Sequence, residues 1–381
     1  MPPVRGGAAQ HLTKMFLDQN EITKEDEITV FSITDHKAEE ASKAYKYSRY
    51  IYIPTSFFCQ KIIGMNIKYF SRRSFLLQEQ LYIRKICNEL RKSRFDLILL
   101  ENTPQYAPYI KKHLDKTQKV YTHLHNDWVN SQTQNAAEIV ESTDKFICVS
   151  DFIQGRVRSA GKSCNAVTVH NGISLEYKGA HTLQVNELRE KYHINQEDIV
   201  IIFTGRMVEE KGPHILIEAL TKMKNAGKCK VLILGSKLYG TTVVDPYLQK
   251  LKKTIEENHM ENVIFTGYVP YESIPLYYEM SDIGVLPSLW DDPQPLTIIE
   301  YMTFGLPVVT TVSGGIPEMV TEECACIFER NEQLSSHVAK ALDELVDNMN
   351  LRAKMSSAGK RRAEEFTERK FLEKFVPELR G

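Results

Sequence analysis

The sequence predicts an α/β protein made of two doubly wound, Rossmann-like domains facing a central cleft. Its 381 residues exceed what a single hydrophobic core usually serves. Short β-branched runs alternate with amphipathic stretches through both halves, the pattern of parallel sheets covered by helices. Polar loops, some bearing glycine, follow several of those runs, at the carboxyl edge where this architecture holds its ligands.

The second half is the more regular. Strands are expected over 199–204, 230–234, 263–267, 283–287 and 307–311. Helices are expected over 213–224, 246–258, 274–280 and 296–304, each with apolar residues at helical spacing. The first half shows the same alternation less regularly, with strands over 28–33, 97–100, 119–124, 145–149 and 166–169. The domains are thus expected to occupy 1–180 and 181–365, joined near 176–185. A terminal helix follows over 366–379, its apolar face formed by Phe371, Leu372, Phe375 and Val376. Met1-Pro2-Pro3-Val4-Arg5-Gly6-Gly7 has the character of a loop that follows a first strand, yet no strand precedes it. Either the chain is truncated or the first sheet lacks a strand.

Composition narrows the function. Hydrophobic residues at 42% and charged residues at 25% indicate an ordered globular chain. With 48 basic against 49 acidic side chains the net charge is -1, so no global field recruits nucleic acid. Cys59, Cys87, Cys148, Cys164, Cys229, Cys324 and Cys326 form no Cys-x-x-Cys pair and no zinc spacing, as expected of reduced thiols in a cytosolic protein. Cys324 and Cys326 fall in a short apolar run expected to be a buried strand. No apolar stretch approaches the roughly 20 residues of a spanning helix, and no basic-then-apolar leader comes first. The protein is therefore expected in the cytoplasm.

Three loops of the second half carry candidate chemistry. Thr204-Gly205-Arg206-Met207-Val208-Glu209-Glu210-Lys211-Gly212-Pro213 leaves an apolar strand and opens a helix with proline at its first turn. Arg206 and Lys211 there suit a developing diphosphate charge without a metal, or equally a solvated turn. Pro287 to Glu300 repeats the strand, polar loop and helix arrangement. Its Asp292 and Glu300 suit sugar hydroxyls, and the helix start at Pro295, Leu296 and Thr297 suits phosphate. As ordinary structure, Asp292 caps a loop and Glu300 is a helix-side carboxylate. Ser313-Gly314-Gly315-Ile316-Pro317-Glu318 permits close backbone approach ahead of a helix. In the first half, Arg5-Gly6-Gly7-Ala8 offers a similar cradle, and His125 in His123-Leu124-His125-Asn126-Asp127 is a structural histidine, as a lone one more often is, or, by its place after a strand, a cleft residue.

Together these elements resemble the family-four retaining glycosyltransferases of the GT-B fold, and the resemblance extends over nearly the whole chain, including Val149-Ser150 and His170-Asn171-Gly172-Ile173. The wording around Gly6-Gly7 and Leu124 to Asp127 is similar to bacterial members associated with surface-glycan and spore-coat biosynthesis. The resemblance implies that Arg206 and Lys211, with Gly205, bind the donor diphosphate and that Glu300 holds the ribose. It implies that Gly6 and Gly7 approach the phosphates or sugar from the opposite domain, that His125 contacts the sugar near the reacting carbon, and that the backbone around Tyr268 and Val269 meets the base. Asp292 stands where the family's Glu-x7-Glu pattern has its first glutamate, which puts the sugar's identity, or a contribution from Asp291, in question. The implied reaction is retaining and needs neither metal nor cofactor, the departing diphosphate assisting deprotonation of the acceptor. The terminal segment 366–381 would cross back to the first domain, as in related enzymes.

Tyr45 to Tyr52, 61–65 and 68–73 interleave aromatic and basic residues. This is expected to be domain core with solvated charges, or else a surface for anionic lipid or a lipid-linked glycan. The expected activity is transfer of a hexose or N-acetylhexosamine from a nucleotide diphosphate sugar, UDP by default, to a glycan or lipid-linked acceptor. The competing expectations are an inactive nucleotide-sugar-binding subunit and an epimerase or hydrolase on the same fold.

Overall fold

The computed structural model describes residues 1–2, 8–54, 72–115, 117–161, 164–174, 182–236 and 245–381. Two compact units divide the chain: Met1–Val169 with Leu372–Gly381, and His170–Phe371.

The first unit holds six strands among the described residues: β1 (Ile28–Ile33), β2 (Ser48–Ile53), β3 (Leu97–Glu101), β4 (Lys119–Leu124), β5 (Lys145–Cys148) and β6 (Ala166–Thr168). β1 and β2 form a parallel pair with Ile28 opposite Ser48, and β3-β4-β5-β6 form a separate parallel sheet. β2 occupies most of the aromatic and basic stretch for which the sequence suggested no strand; Tyr50 and Tyr52 stack with ring centroids 6.2 Å apart. Alternation of Tyr50, Ile51 and Tyr52 suits a pleated, half-buried surface, and the basic neighbours masked it. The candidate lipid-facing segments 61–65 and 68–71 lie outside the described residues, as do Cys59, Arg5, Gly6 and Gly7. The end of the helix Glu368–Arg380 is tied into this unit: Lys145 Nζ donates to the Glu378 carbonyl at 2.8 Å, and Phe375 packs edge-on against Phe16.

The second unit holds a single six-stranded sheet in the order β12-β11-β10-β7-β8-β9, all parallel. Its strands are β7 (Ile199–Thr204), β8 (Cys229–Leu234), β9 (Val263–Gly267), β10 (Ile283–Leu286), β11 (Val308–Thr311) and β12 (Ala325–Phe328). Strands covered by helices on both faces read as continuous apolar runs, and Val200 to Phe203 of β7 are completely buried. β12 contains Cys326 with Cys324 just before it; the strand is there, but only Ala325 of it is buried, Cys326 being half-buried and Cys324 buried, and all six described cysteines are free thiols. The strand order reverses direction between β7 and β10, so the loops leaving these two strands open on either side of the switch point.

Candidate active site

Local sequence brings those loops together. After β7 the chain turns through Gly212, at φ +71, into the helix Pro213–Lys222. A Cβ at Gly212 would lie 2.0 Å from the Pro287 carbonyl oxygen, so only glycine lets the loop after β7 touch the loop after β10. Leu289 N–H then donates to the Glu210 carbonyl at 2.8 Å, and the Ser288 hydroxyl to the same oxygen at 3.2 Å. The loop after β11 closes the third side: Gly315 N–H donates to the Asp292 carbonyl at 2.9 Å, and a Cβ on Gly314 (φ +54) would meet that oxygen at 2.2 Å.

Within this frame Lys211 and Asp292, 81 residues apart, form a charge-assisted hydrogen bond. Their side chains are only 14% and 6% exposed, and the Lys211 ammonium sits 5.9 Å from the centre of the Trp290 ring. Asp291 does not share the site. It is held outside by Arg330, whose guanidinium donates to it at 2.7 Å and to the Leu289 carbonyl at 3.0 Å. Arg206 is exposed beside the same loop, with no side-chain partner among the described residues. Gly205 donates its N–H to the Leu234 carbonyl at 3.1 Å.

The helix Leu296–Phe304 begins at Pro295 with no side chain capping it, and Ile298 N–H bonds back to the Pro295 carbonyl at 3.1 Å. Its amino end, at Leu296 and Thr297, keeps the dipole and donors that attract anions. One turn on, Glu300 is buried, and its two oxygens accept from Tyr271 Oη at 3.0 Å and Tyr278 Oη at 2.7 Å. Burial pushes the Glu300 carboxyl above its ordinary range, and the two tyrosine hydroxyls pull part of the way back. Tyr268 is exposed and Val269 half-buried just beyond the end of β9, in the same loop as Tyr271.

His125 lies in the other unit, at the end of β4. Its Nε2 is 3.3 Å from a Glu101 oxygen and 3.2 Å from His123 Nδ1, and its backbone N–H donates to Asn102 Oδ1 at 3.1 Å. Burial, then repulsion from His123, lowers the His125 imidazole to about 4, against the pull of Glu101. Burial raises the Glu101 carboxyl, but the two imidazoles outweigh it and hold it at about 2. His125 is therefore a neutral imidazole at physiological pH.

Residues 184–362 match the family model described as glycosyl transferases group 1. The chain is 28% identical over 377 residues to spore coat protein SA of Bacillus subtilis, spanning 96% of this chain and 92% of that protein. It is also 28% identical over 298 residues to the putative glycosyltransferase YtcC of the same organism, spanning 76% of this chain and 73% of YtcC. Among solved structures, HepE of Anabaena in complex with UDP superposes with a TM-score of 0.76 at 18% identity, over all of this chain and 97% of HepE. That likeness establishes the fold as the GT-B class.

The second unit brings together Gly205, Lys211, Asp292, Pro295, Leu296, Thr297 and Glu300 from loops the sequence had singled out. Several neighbours were not anticipated: Tyr271, Tyr278, Trp290 and Arg330 in this domain, and Glu101 and His123 around His125. Glu101 carried a signal, an acid closing the apolar run Leu97 to Leu100, and His123 shares a strand face with His125 at the two-residue period. The tyrosines carried none, because Tyr271 lies in the loop after β9 and Tyr278 on a buried helical position, and both meet Glu300 only through tertiary packing.

Proposed function

We propose that this protein is a retaining, metal-independent glycosyltransferase that moves a hexose or N-acetylhexosamine from a nucleotide diphosphate sugar to a glycan or lipid-linked acceptor. The observation that carries the reading is the buried Lys211–Asp292 pair beside an uncapped helix start at the sheet's switch point. A UDP sugar is the favoured donor, supported by HepE, a fold neighbour that holds UDP.

On this reading Arg206 and Lys211 meet the diphosphate and stabilise the charge it gains as its bond to the sugar breaks. The backbone N–H groups at Leu296 and Thr297 add the helix dipole. Glu300, kept in place by Tyr271 and Tyr278, accepts from the ribose hydroxyls, while the backbone at Tyr268 and Val269 borders the base. Asp292 accepts from a hydroxyl of the transferred sugar. The resemblance assigns donor contacts also to Gly6 and Gly7, outside the described residues, and to His125, a neutral imidazole. The acceptor oxygen forms its bond on the face the diphosphate leaves, and its proton passes to the departing phosphate oxygen. Arg206 and Lys211 supply the positive charge that a metal would otherwise bring.

No helix among the described residues is long and apolar enough to cross a membrane. The free cysteines suit a reducing compartment, so the reading places the enzyme in the cytoplasm, meeting a lipid-linked acceptor at the membrane's inner face. The name of spore coat protein SA supports the further reading of a role in surface-glycan or spore-coat assembly.

The test is nucleoside diphosphate release from UDP, GDP and ADP sugars with EDTA present, comparing wild type with Lys211→Ala and Glu300→Ala. Release from one donor that both substitutions abolish supports the reading. Nucleotide binding without release from any donor overturns it in favour of a non-catalytic subunit.

A further inference from the structure

Three side chains of metal-ligating type meet at one point in the first unit. β3 and β4 run parallel with Glu101 opposite His123, and His125 follows two residues on, at the period that returns it to the same side as His123. The exit of β3 holds this corner together. Asn102, at φ +53, donates its N–H to the His123 carbonyl at 2.8 Å, and its Oδ1 accepts from His125 N–H at 3.1 Å. The His123 ring is seated against Phe375, with ring centroids 4.9 Å apart. Backbone and packing thus fix the three positions, apart from any contact the side chains make with one another.

One atom from each side chain forms a nearly equilateral triangle. His123 Nδ1 and Glu101 Oε2 are 3.2 Å apart, His125 Nε2 and the same oxygen 3.3 Å, and the two nitrogens 3.2 Å. Hydrogen bonding cannot satisfy all three sides, because a ring nitrogen either donates or accepts and a carboxylate only accepts. If both nitrogens donate to Glu101, their hydrogens face each other. If one donates to the other, the acceptor's lone pair faces the carboxylate. A cation set between the three takes all their lone pairs, and the spacing selects its size and geometry. A tetrahedral zinc ion, bonded to imidazole nitrogen and carboxylate oxygen at about 2.0–2.1 Å, holds its ligands about 3.3–3.4 Å apart. Magnesium and calcium prefer oxygen ligands, whereas two of these three are imidazoles. The histidine side chains are 1% and 7% exposed and that of Glu101 27%, so the carboxylate side is the one open to solvent.

We propose that Glu101, His123 and His125 form a zinc-binding site whose fourth position is left to water or an exogenous ligand. The inference concerns the first unit alone and stands apart from the transferase reading, in which Arg206 and Lys211 meet the diphosphate without a metal. Where both hold, bound zinc occupies His125 and so opposes its contact with the sugar.

The experiment strips the full chain with EDTA, removes the chelator and titrates the protein with Zn²⁺ against a chromophoric chelator, comparing wild type with Glu101→Gln and His123→Gln. The expected result is one equivalent held by the wild-type chain and weakened at least about a hundredfold in each variant, since loss of a ligand costs more than loss of the groups that orient it. Circular dichroism checks that the variants keep the fold. A second measurement needs no variant: Co²⁺ added to the stripped wild-type chain should give the intense visible absorption of tetrahedral coordination, and Zn²⁺ should abolish it. No equivalent held by wild type, an equivalent that both variants retain, or the weak spectrum of six-coordinate cobalt would each overturn the proposal.

Discussion

Replacing Lys211 with methionine separates the two roles its ammonium is given. The side chain keeps its length and apolar stem but loses the charge, leaving the Asp292 carboxylate, 6% exposed, without its cation. Breaking a buried pair by removing one partner typically destabilises by about 3 to 5 kcal/mol, because the remaining charge is left uncompensated. Asp292 cannot easily withdraw, since its backbone is pinned by Gly315 N–H and by the close approach of Gly314. The variant should therefore lose about 3 kcal/mol of unfolding free energy in denaturant melts at neutral pH. Turnover should fall independently: removing one preorganised group that stabilises developing negative charge costs about 3 kcal/mol, roughly two orders of magnitude in rate. The double variant Lys211→Met/Asp292→Asn removes the stranded charge, so it should regain most of the stability and none of the turnover. Single-turnover release of nucleoside diphosphate, read beside the melts, resolves the two effects. If the double variant regained turnover together with stability, Lys211 would serve only to neutralise Asp292, and the assignment to the diphosphate would fail.

Three further outcomes are expected. Gly314→Ala forces a Cβ to within 2.2 Å of the Asp292 carbonyl at φ +54, so the domain should lose at least about 2 kcal/mol, with a wild-type denaturation midpoint as the contrary result. Tyr278→Phe removes a buried donor to Glu300, so the Glu300 carboxyl should rise further; calorimetric titration with nucleotide should show affinity retained only to a higher pH than in wild type, and an unshifted profile would refute the role. His125 is held at about 4 in the fold against 6.5 for a free imidazole, so acidification protonates the unfolded chain first. Its share of stability, about 3 kcal/mol, is present above pH 6.5 and should be lost progressively as pH falls towards 4, a slope that His125→Asn should remove from unfolding measurements.

How far the sequence reveals such a structure depends on whether a feature is local. β7, β9 and β4 begin and end at the residues their apolar runs indicate, and the helix Leu296–Phe304 is bounded by Pro295 before it and Gly305, at φ +73, after it. β2 was not legible, because Arg49 and the tyrosines hide an alternation that only its pairing with β1 exposes. In the site, the charged loop residues are legible because strand, loop and helix follow one another in the chain. What holds them is not. Tyr278 and Tyr301 occupy positions any core helix would fill with aromatics, yet one hydroxyl serves Glu300 and the other accepts from Thr204 N–H at 2.9 Å. Such roles arise from which element lies opposite, a property of the assembled sheet rather than of any short stretch of sequence.

Aspartate at position 292 bears on how the site operates. Glutamate would carry its carboxyl one methylene farther from the loop, whereas here the acid closes on Lys211 and sits over a backbone fixed by Gly314 and Gly315. Lys211, the cation assigned to the diphosphate, is neutralised by Asp292 in the structure. Donor binding on the proposed reading is therefore an exchange of anions at one ammonium, a phosphate oxygen for a carboxylate oxygen. Because the aspartate is anchored and the lysine stem has four rotatable bonds, the lysine is the partner that moves. On that same reading the exchange would free Asp292 to accept from a sugar hydroxyl as the phosphate arrives, coupling recognition of the sugar to recognition of the diphosphate through a single side chain.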